Sequence, residues 1–221
     1  MNDAAATSAS IVVAAERLFA MHGIDGVSLR QISVEAGSSN NSAVHYHFGS
    51  KEGLIGAIFR HRLPQLISER RLLVARCDPD DVRSRLEAHV LPVLNLAEAP
   101  DSHYVSFVEQ LQRRAIESLP ELPEEGQRSH LELQHDLNRL LADLDEPLRA
   151  MRITEVTRLS LHAAADRERS VAAGSQVVPF ELFASSLLDG LTGFLVAPRS
   201  DATRRWLERA GAVTEPRLRL L

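Results

Sequence analysis

A short stretch of amide, hydroxyl and aromatic side chains, ending at the only lysine of the chain, contains the residues best suited to bind another molecule. Asn40 and Asn41 each carry a donor and an acceptor, the combination with which asparagine pairs bidentately with adenine in the major groove of DNA. Lys51 follows Gly49-Ser50, a helix start, where a cation is disfavoured by roughly 0.3–1 kcal/mol unless an anion lies nearby. These residues therefore suggest contacts with DNA bases and phosphates.

The candidate DNA contacts lie within the first 51 residues, and each is small or able to form hydrogen bonds. They are Ser28, Asn40, Asn41, Ser42, Ala43, His45, Tyr46 and Lys51. Ala43 is small enough to pack on a thymine methyl group, and Ser28 can donate to a phosphate while capping a helix. The alternative is that the polar residues only form turns and caps and that Lys51 is merely exposed.

The histidines do not predict a metal site. On a helix, residues two positions apart point about 200° apart, so His45 and His47 cannot readily chelate one ion. The chain has no Gly-rich phosphate loop, no His-Glu-x-x-His and no local signature of a Ser-His-Asp site. We therefore expect no metal, no cofactor and no enzymatic activity.

Composition is that of a globular protein. The 221 residues are 44% hydrophobic and 25% charged, and no apolar run approaches the roughly 18 residues of a membrane span. A single cysteine, Cys77, excludes an intrachain disulfide, and residues 1–10 do not resemble a secretory signal, so we expect a cytoplasmic protein without membrane contacts. The net charge is −5, but residues 1–65 carry five basic and five acidic side chains. DNA binding would thus depend on a local site.

Apolar residues recur with helical spacing along nearly the whole chain, which predicts an all-α fold. The first helix is expected to end at Gly23, and the second to begin with Ser28 as N-cap and Gln31 completing a capping box. The second helix should stop before Gly37, and a short third helix should end at Phe48. Two short helices joined by a tight turn thus follow the first helix.

The remaining sequence predicts further helices and no strand. A long helix should start at Lys51 and continue to about Arg76, bent at Pro64, and Asp78 is expected to cap the next one. Later helical segments are expected from Tyr104 to about Ala115, through Leu133–Leu144, from Pro147 to about Ser170, over Pro179–Val196 and over Ser200–Ala210.

Residues 11–59 resemble the DNA-binding domain of the tetracycline-repressor (TetR) family. The segments that carry the resemblance are Ala15-Glu16-Arg17-Leu18-Phe19, Gly26-Val27-Ser28-Leu29-Arg30-Gln31-Ile32, Glu35-Ala36-Gly37 and Tyr46-His47-Phe48-Gly49-Ser50-Lys51-Glu52-Gly53-Leu54. The stretch after Gly37 is one residue longer than the usual pattern, and His45 replaces a tyrosine. The resemblance implies a helix-turn-helix domain in residues 1–50, a helical ligand-binding and dimerisation domain in residues 51–221, and a phosphate contact by Lys51.

This resemblance leads us to expect a ligand-responsive repressor that binds a palindromic, inverted-repeat operator in double-stranded DNA as a homodimer. The expected pocket for a small-molecule effector includes His103, Tyr104, Phe107, Gln110, Leu111 and Arg113. The expected dimer interface includes Val156, Leu159, Phe183, Leu187, Gly190, Leu191 and Phe194. The alternatives are ordinary surface or core roles for the pocket residues, a monomer that buries its apolar faces internally, and a helical adaptor whose amino-terminal head binds a protein.

Overall fold

A computed structural model describes residues 2–37, 42–113 and 123–210, and these segments contain helices, turns and loops but no strand. This confirms the all-α prediction. The helices are α1 (Asn2–His22), α2 (Leu29–Glu35), α3 (Ser42–Phe48), α4 (Lys51–Val74), α5 (Val82–Glu98), α6 (Tyr104–Gln112), α7 (Glu124–Leu140), α8 (Glu146–Ala172), α9 (Phe180–Val196) and α10 (Asp201–Ala210).

Local signals determine the ends of the first helices. Gly23 follows α1 with a φ of 73°, the left-handed conformation that glycine adopts without strain. At the start of α2 the hydroxyl of Ser28 accepts a hydrogen bond from the backbone N–H of Gln31 at 3.2 Å, and the Gln31 side chain accepts one from the Ser28 N–H at 2.8 Å. The predicted capping box is therefore confirmed.

The predicted start of α5 was wrong by three residues. Asp81, not Asp78, caps this helix, and its carboxylate accepts a hydrogen bond from the Ser84 N–H at 2.7 Å. Asp78 instead accepts the N–H of Asp80 at 2.9 Å. This local turn satisfies the Asp78 side chain and leaves the capping role to the last aspartate before the apolar face of the helix. Pro64 and Pro92 lie inside α4 and α5 without ending them.

One continuous cluster of buried apolar side chains extends from Ile11 in α1 to Leu195 in α9. Three helices meet at its aromatic part: the ring of Phe107 in α6 lies 6.2 Å from Phe19 in α1 and 5.8 Å from Phe59 in α4, measured between centroids. Because α1 shares this core with α4 and α6, the amino-terminal helices do not stand apart from the remainder. The predicted boundary after residue 50 stays a prediction.

Membrane-spanning segments were searched among the described residues. No single helix there is both long and apolar enough to cross a membrane. Only α9 taken together with Asp201–Arg209 reaches the required length and apolar composition, and these two segments are bent by 54° relative to each other.

A buried carboxylate from α8 caps the amino end of α6. His103 in the N-cap position of α6 provides no side-chain bond, whereas Glu168 accepts the N–H groups of Val105 at 3.1 Å and Ser106 at 2.7 Å. Burial, opposed by these hydrogen bonds, raises the pKa of Glu168 to about 6. The contact joins the long α8 to the short helix that packs on α1.

We predict that Glu168 makes the free energy of unfolding fall as the pH rises from about 4.5 to about 6. Its pKa is raised in the folded protein, so the folded state keeps its proton through this window while the unfolded state loses it. A difference of about 1.5 pKa units corresponds to about 2 kcal/mol. Urea unfolding of the wild type and of Glu168→Gln at several pH values should show this fall in the difference between the two proteins. A pH-independent difference would contradict the assignment.

Candidate nucleic-acid interface and effector cavity

We call α1, α2 and α3 the amino-terminal head. Its second short helix, α3, combines one buried anchor with several exposed polar side chains. Val44 is fully buried, which attaches α3 to the core, and Phe48 packs against that core. His45, Tyr46 and His47 are exposed, and the side chain of Tyr46 is 85% exposed. A helix held by its apolar side thus presents imidazole and phenol groups to the surroundings.

The structure describes only some of the polar residues that precede these side chains in the sequence. Asn40 and Asn41 lie outside the described residues, whereas Ser42 and Ala43 form the first turn of α3. Ser28 is exposed at the amino end of α2. The N-terminal turn of the second short helix is the part that reaches base edges when such a motif enters the major groove.

Lys51 stabilises the junction between the head and α4. Its ammonium donates to the carbonyl oxygens of Ile24 at 2.9 Å and Asp25 at 3.5 Å, in the turn that follows α1. These oxygens explain how a cation is tolerated in the first turn of α4, a point that the sequence did not reveal. Lys51 is only half-buried, and its third N–H is not engaged by these two carbonyl groups.

A buried ion pair connects α1, α4 and the segment before α6. Glu16 is 1% exposed and accepts hydrogen bonds from Arg62 Nε at 2.8 Å and Arg62 Nη2 at 2.7 Å, a bidentate geometry. The hydrogen bond to Glu16 also raises the pKa of Arg62. Glu16 additionally accepts the backbone N–H of His103 at 2.9 Å, and Arg62 donates to the carbonyl of Asp101 at 3.3 Å. The orientation of the head relative to α6 thus depends on one carboxylate.

The predicted effector residues lie on α6 or directly beside its ends. Some of them are buried in the core, and the others are partly or fully exposed. Phe107 and Leu111 are fully buried in the core shared with α1, Gln110 lies beside Gly23, and Arg113 is exposed. His103 is half-buried, and burial lowers its pKa. Tyr104 lines a cavity described below, whereas the other five residues do not line it. The apolar pattern identified the helix, but it could not show which side faces free space.

Two narrow cavities lie among α4, α5, α6, α7 and α8, each with a volume of about 30 Å³. One contains polar side chains and the other is mainly apolar. The polar cavity is lined by residues that include Arg70, His89, Ser129, His130, Thr157 and Ser160. The apolar cavity is lined by residues that include Phe59, Leu63, Leu66, Ile67, Tyr104 and Val108. Sequence analysis missed Arg70 and His89, although each is a polar residue at a buried position of an apolar helical face.

The predicted dimer residues of α8 and α9 also divide between inside and outside. Val156 and Leu191 are buried within the subunit, and Phe183 is half-buried because the guanidinium of Arg167 lies 4.7 Å from its ring centroid. Leu187 is half-buried as well. The exposed members are Leu159, Gly190 and Phe194. Further exposed apolar side chains on the same two helices are Met151, Leu182 and Val196.

A capped short helix, a turn and a second short helix with exposed polar side chains define a helix-turn-helix protein. Residues 11–58 match the sequence profile of the family described as bacterial regulatory proteins, tetR family. The amino-terminal segment of the chain is therefore similar to the DNA-binding domain of the TetR family.

One curated relative and two solved structures are also similar to this chain. The HTH-type transcriptional repressor AcnR of Corynebacterium glutamicum is 36% identical over 66 residues, 28% of this chain and 35% of the repressor, so the match spans about a third of that protein. The fatty acid degradation regulator FadR of Bacillus halodurans has a TM-score of 0.53 at 17% identity, covering 87% of this chain and 100% of its own. NalD, the secondary repressor of the MexAB-OprM multidrug efflux pump in Pseudomonas aeruginosa, has a TM-score of 0.50 at 21% identity, covering 89% and 100%. At these identities the two structures show a shared fold.

We predict that Arg62→Met lowers the free energy of unfolding by about 3 kcal/mol, because it leaves the buried Glu16 carboxylate without a cation. Urea unfolding measures this loss. Adding Glu16→Gln should recover most of it, since the buried charge is then removed as well. The matched control is Arg17→Met, which breaks the exposed Arg17–Glu35 pair and should cost less than about 1 kcal/mol. Equal losses for Arg62→Met and Arg17→Met would refute the special role of the buried pair.

Proposed function

We propose that this protein is a ligand-responsive transcriptional repressor that binds an inverted-repeat operator as a homodimer. The observation that carries the proposal is the TetR-family helix-turn-helix domain, whose α3 exposes His45 and Tyr46 beside the helix start at Ser42. A regulator of this kind acts on chromosomal DNA and therefore in the cytoplasm.

In the proposed complex α3 lies in the major groove. Asn40, Asn41, Ser42 and Ala43 reach base edges from the turn and the first helical residues, and His45 and Tyr46 contact the flanking backbone. Ser28 and Lys51 bind phosphates at the amino ends of α2 and α4, where the backbone N–H groups also favour an anion. The geometry supports Lys51 in this role because its ammonium lies at the head surface with one N–H to spare.

The small size of the amino-terminal head and the exposed face of α8 and α9 both support a homodimer. One small head buries too little DNA for tight binding, whereas two heads related by a twofold axis can read an inverted repeat. Gly190 and Gly193 leave open space around the position of a Cβ, and the exposed Leu159 and Phe194 add apolar area. Such a surface permits close packing of the same helices from a second subunit.

The proposed response to a ligand uses α4 as the connecting element. This helix begins at Lys51 in the head and reaches the polar cavity at Arg70, roughly 28 Å further along at 1.5 Å per residue. A volume of about 30 Å³ holds water molecules but not an organic effector, so a ligand must separate the helices around it. Movement of α4 would then change the spacing of the two heads, which weakens operator binding.

We predict that Tyr46→Ala weakens operator binding at least tenfold without loss of stability, since Tyr46 is almost fully exposed and the loss of one hydrogen bond to a charged group costs about 1.5–3 kcal/mol in general. The operator is obtained by selecting fragments of the source genome with the purified protein, and affinity is measured by fluorescence anisotropy. The control is Trp206→Ala, which truncates another exposed aromatic residue, in α10, and should leave affinity unchanged. If Tyr46→Ala and Lys51→Met both bind as tightly as the wild type, the proposed DNA contacts of these two residues are refuted. A wild type that selects no DNA fragment would instead favour the adaptor alternative.

We also predict that Gly190→Arg produces a monomer that keeps its fold but binds the operator at least tenfold more weakly. A Cβ atom at this position would meet no other atom of the described residues within 4 Å outside the backbone of its own helix, so the side chain extends into open space. Sedimentation analysis measures the association state, and circular dichroism monitors folding. Leu72→Arg, at an exposed position of α4, is the matched control and should remain dimeric. A dimeric Gly190→Arg variant would place the interface elsewhere.

A further inference from the structure

Arg70 is a buried cation without a carboxylate partner among the described residues. Its side chain lies in the core, with the residue 8% exposed. Nη1 donates to the hydroxyl of Ser129 at 2.7 Å and Nη2 to the carbonyl of His89 at 3.0 Å, both neutral groups. Nε is buried and has no hydrogen-bond partner in the part of the chain that the structure describes. Burial lowers the pKa of Arg70 to about 10, so the group still carries its charge at neutral pH.

His89, which lines the same polar cavity, also has unused hydrogen-bonding capacity. It is 2% exposed, and within residues 2–37, 42–113 and 123–210 neither Nδ1 nor Nε2 has a hydrogen-bond partner. Burial, followed by the positive charges of Arg70 and Arg85, lowers its pKa to about 3 and keeps the ring neutral. A neutral imidazole offers one N–H donor and one acceptor. Such buried and unused groups are rare unless a ligand or ordered water satisfies them.

The charges around the cavity leave one positive charge without compensation. Arg85 is paired with Asp136, so its charge is neutralised locally. Glu132 acts on Arg70 only at a distance, from an exposed position on α7. The polar cavity therefore favours a ligand with a single negative charge.

The surroundings also indicate the shape of the ligand. Arg70, Val93, Ser129 and Leu161 line both the polar and the apolar cavity, so the two spaces adjoin. A third space of about 160 Å³, lined by Arg70, Arg71, Arg128 and Glu132 among others, provides an approach from the surface. An anionic group at Arg70 would thus have apolar walls on one side and, on the other, an approach in which Arg71 and Arg128 are balanced by Glu125 and Glu132.

We propose that the effector is a small amphiphilic monocarboxylate whose carboxylate binds Arg70 and His89 and whose apolar part occupies the space beside Phe59 and Leu66. This inference rests on the proposed function, because it assigns a ligand class to the effector site. A carboxylate has one charge and two acceptor oxygens, which match the free Nε of Arg70 and the N–H of His89. A phosphate dianion would bring a second charge for which the polar cavity has no cation to spare.

The same contacts link binding to the movement of α4. Arg70 is held to α7 by Ser129 and to α5 by the backbone of His89. A carboxylate that competes for the guanidinium weakens these two attachments, and its apolar part separates the helices that enclose the narrow cavities. Both effects act on the carboxyl-terminal half of α4, whose first turn carries Lys51.

The test compares acids with uncharged analogues of the same shape. Full-length protein bound to its selected operator is titrated with octanoate, decanoate and 3-phenylpropanoate, and in parallel with their primary amides. DNA release and direct binding are followed by anisotropy and calorimetry. We expect at least one acid to bind at least tenfold more tightly than its amide and to release DNA. Equal binding of each acid and its amide, or no binding of any acid at 1 mM, overturns the proposal.

Variants separate the site from general anion binding. Arg70→Met should lower affinity for the bound acid at least tenfold, measured by calorimetry without DNA, and it should raise the melting temperature because it removes an uncompensated buried charge. Arg71→Met, at the exposed neighbouring position, should bind the acid like the wild type. Unchanged acid binding by Arg70→Met overturns the assignment. If Arg70→Met does not fold, the acid-against-amide comparison on the wild type still decides. A wild type that binds no operator would instead contradict the proposed function.

Discussion

The buried carboxylate of Glu16 is the contact on which the arrangement of the amino-terminal head depends. It joins three parts of the chain that are far apart in sequence, because the guanidinium of Arg62 in α4 and the N–H of His103 before α6 bind the same group. Charges so deeply buried are tolerated only when their hydrogen-bonding capacity is satisfied, which makes the geometry of this junction specific. The aromatic cluster of Phe19, Phe59 and Phe107 then fills the adjacent space with apolar contacts.

A second carboxylate extends this connection towards α8. Glu168 caps the amino end of α6 with two hydrogen bonds, and α6 packs against α1 in the head. The proposed dimer face and the proposed DNA face are therefore connected through α6, which has polar attachments at its start, as well as through the packing of α8 on α5 and of α5 on α4. Polar contacts of this kind have few alternative geometries.

α4 provides the other route between the cavities and the head, and it combines two unusual cations. Lys51 lies against backbone carbonyl groups at one end, and Arg70 lies in the core at the other, with no acidic partner among the described residues. The two anion contacts that we propose, a phosphate at Lys51 and a carboxylate at Arg70, therefore lie on the same helix.

The sequence by itself determined the helical fold, most helix ends and the family of the head, because caps, glycines at positive φ and apolar spacing act within a few residues of one another. Ser28, Gln31 and Gly23 are examples, and their roles could be predicted without knowledge of the core. Only the tertiary structure decided which side of each helix faces a cavity, the core or the surface. Phe107 and Leu191 have the same apolar character as residues that line a cavity or an outer face, yet they are buried among neighbours distant in sequence. Arg70 and Glu16 likewise acquire their meaning from long-range contacts, since burial and the presence or absence of a counter-charge are properties of the assembled helices.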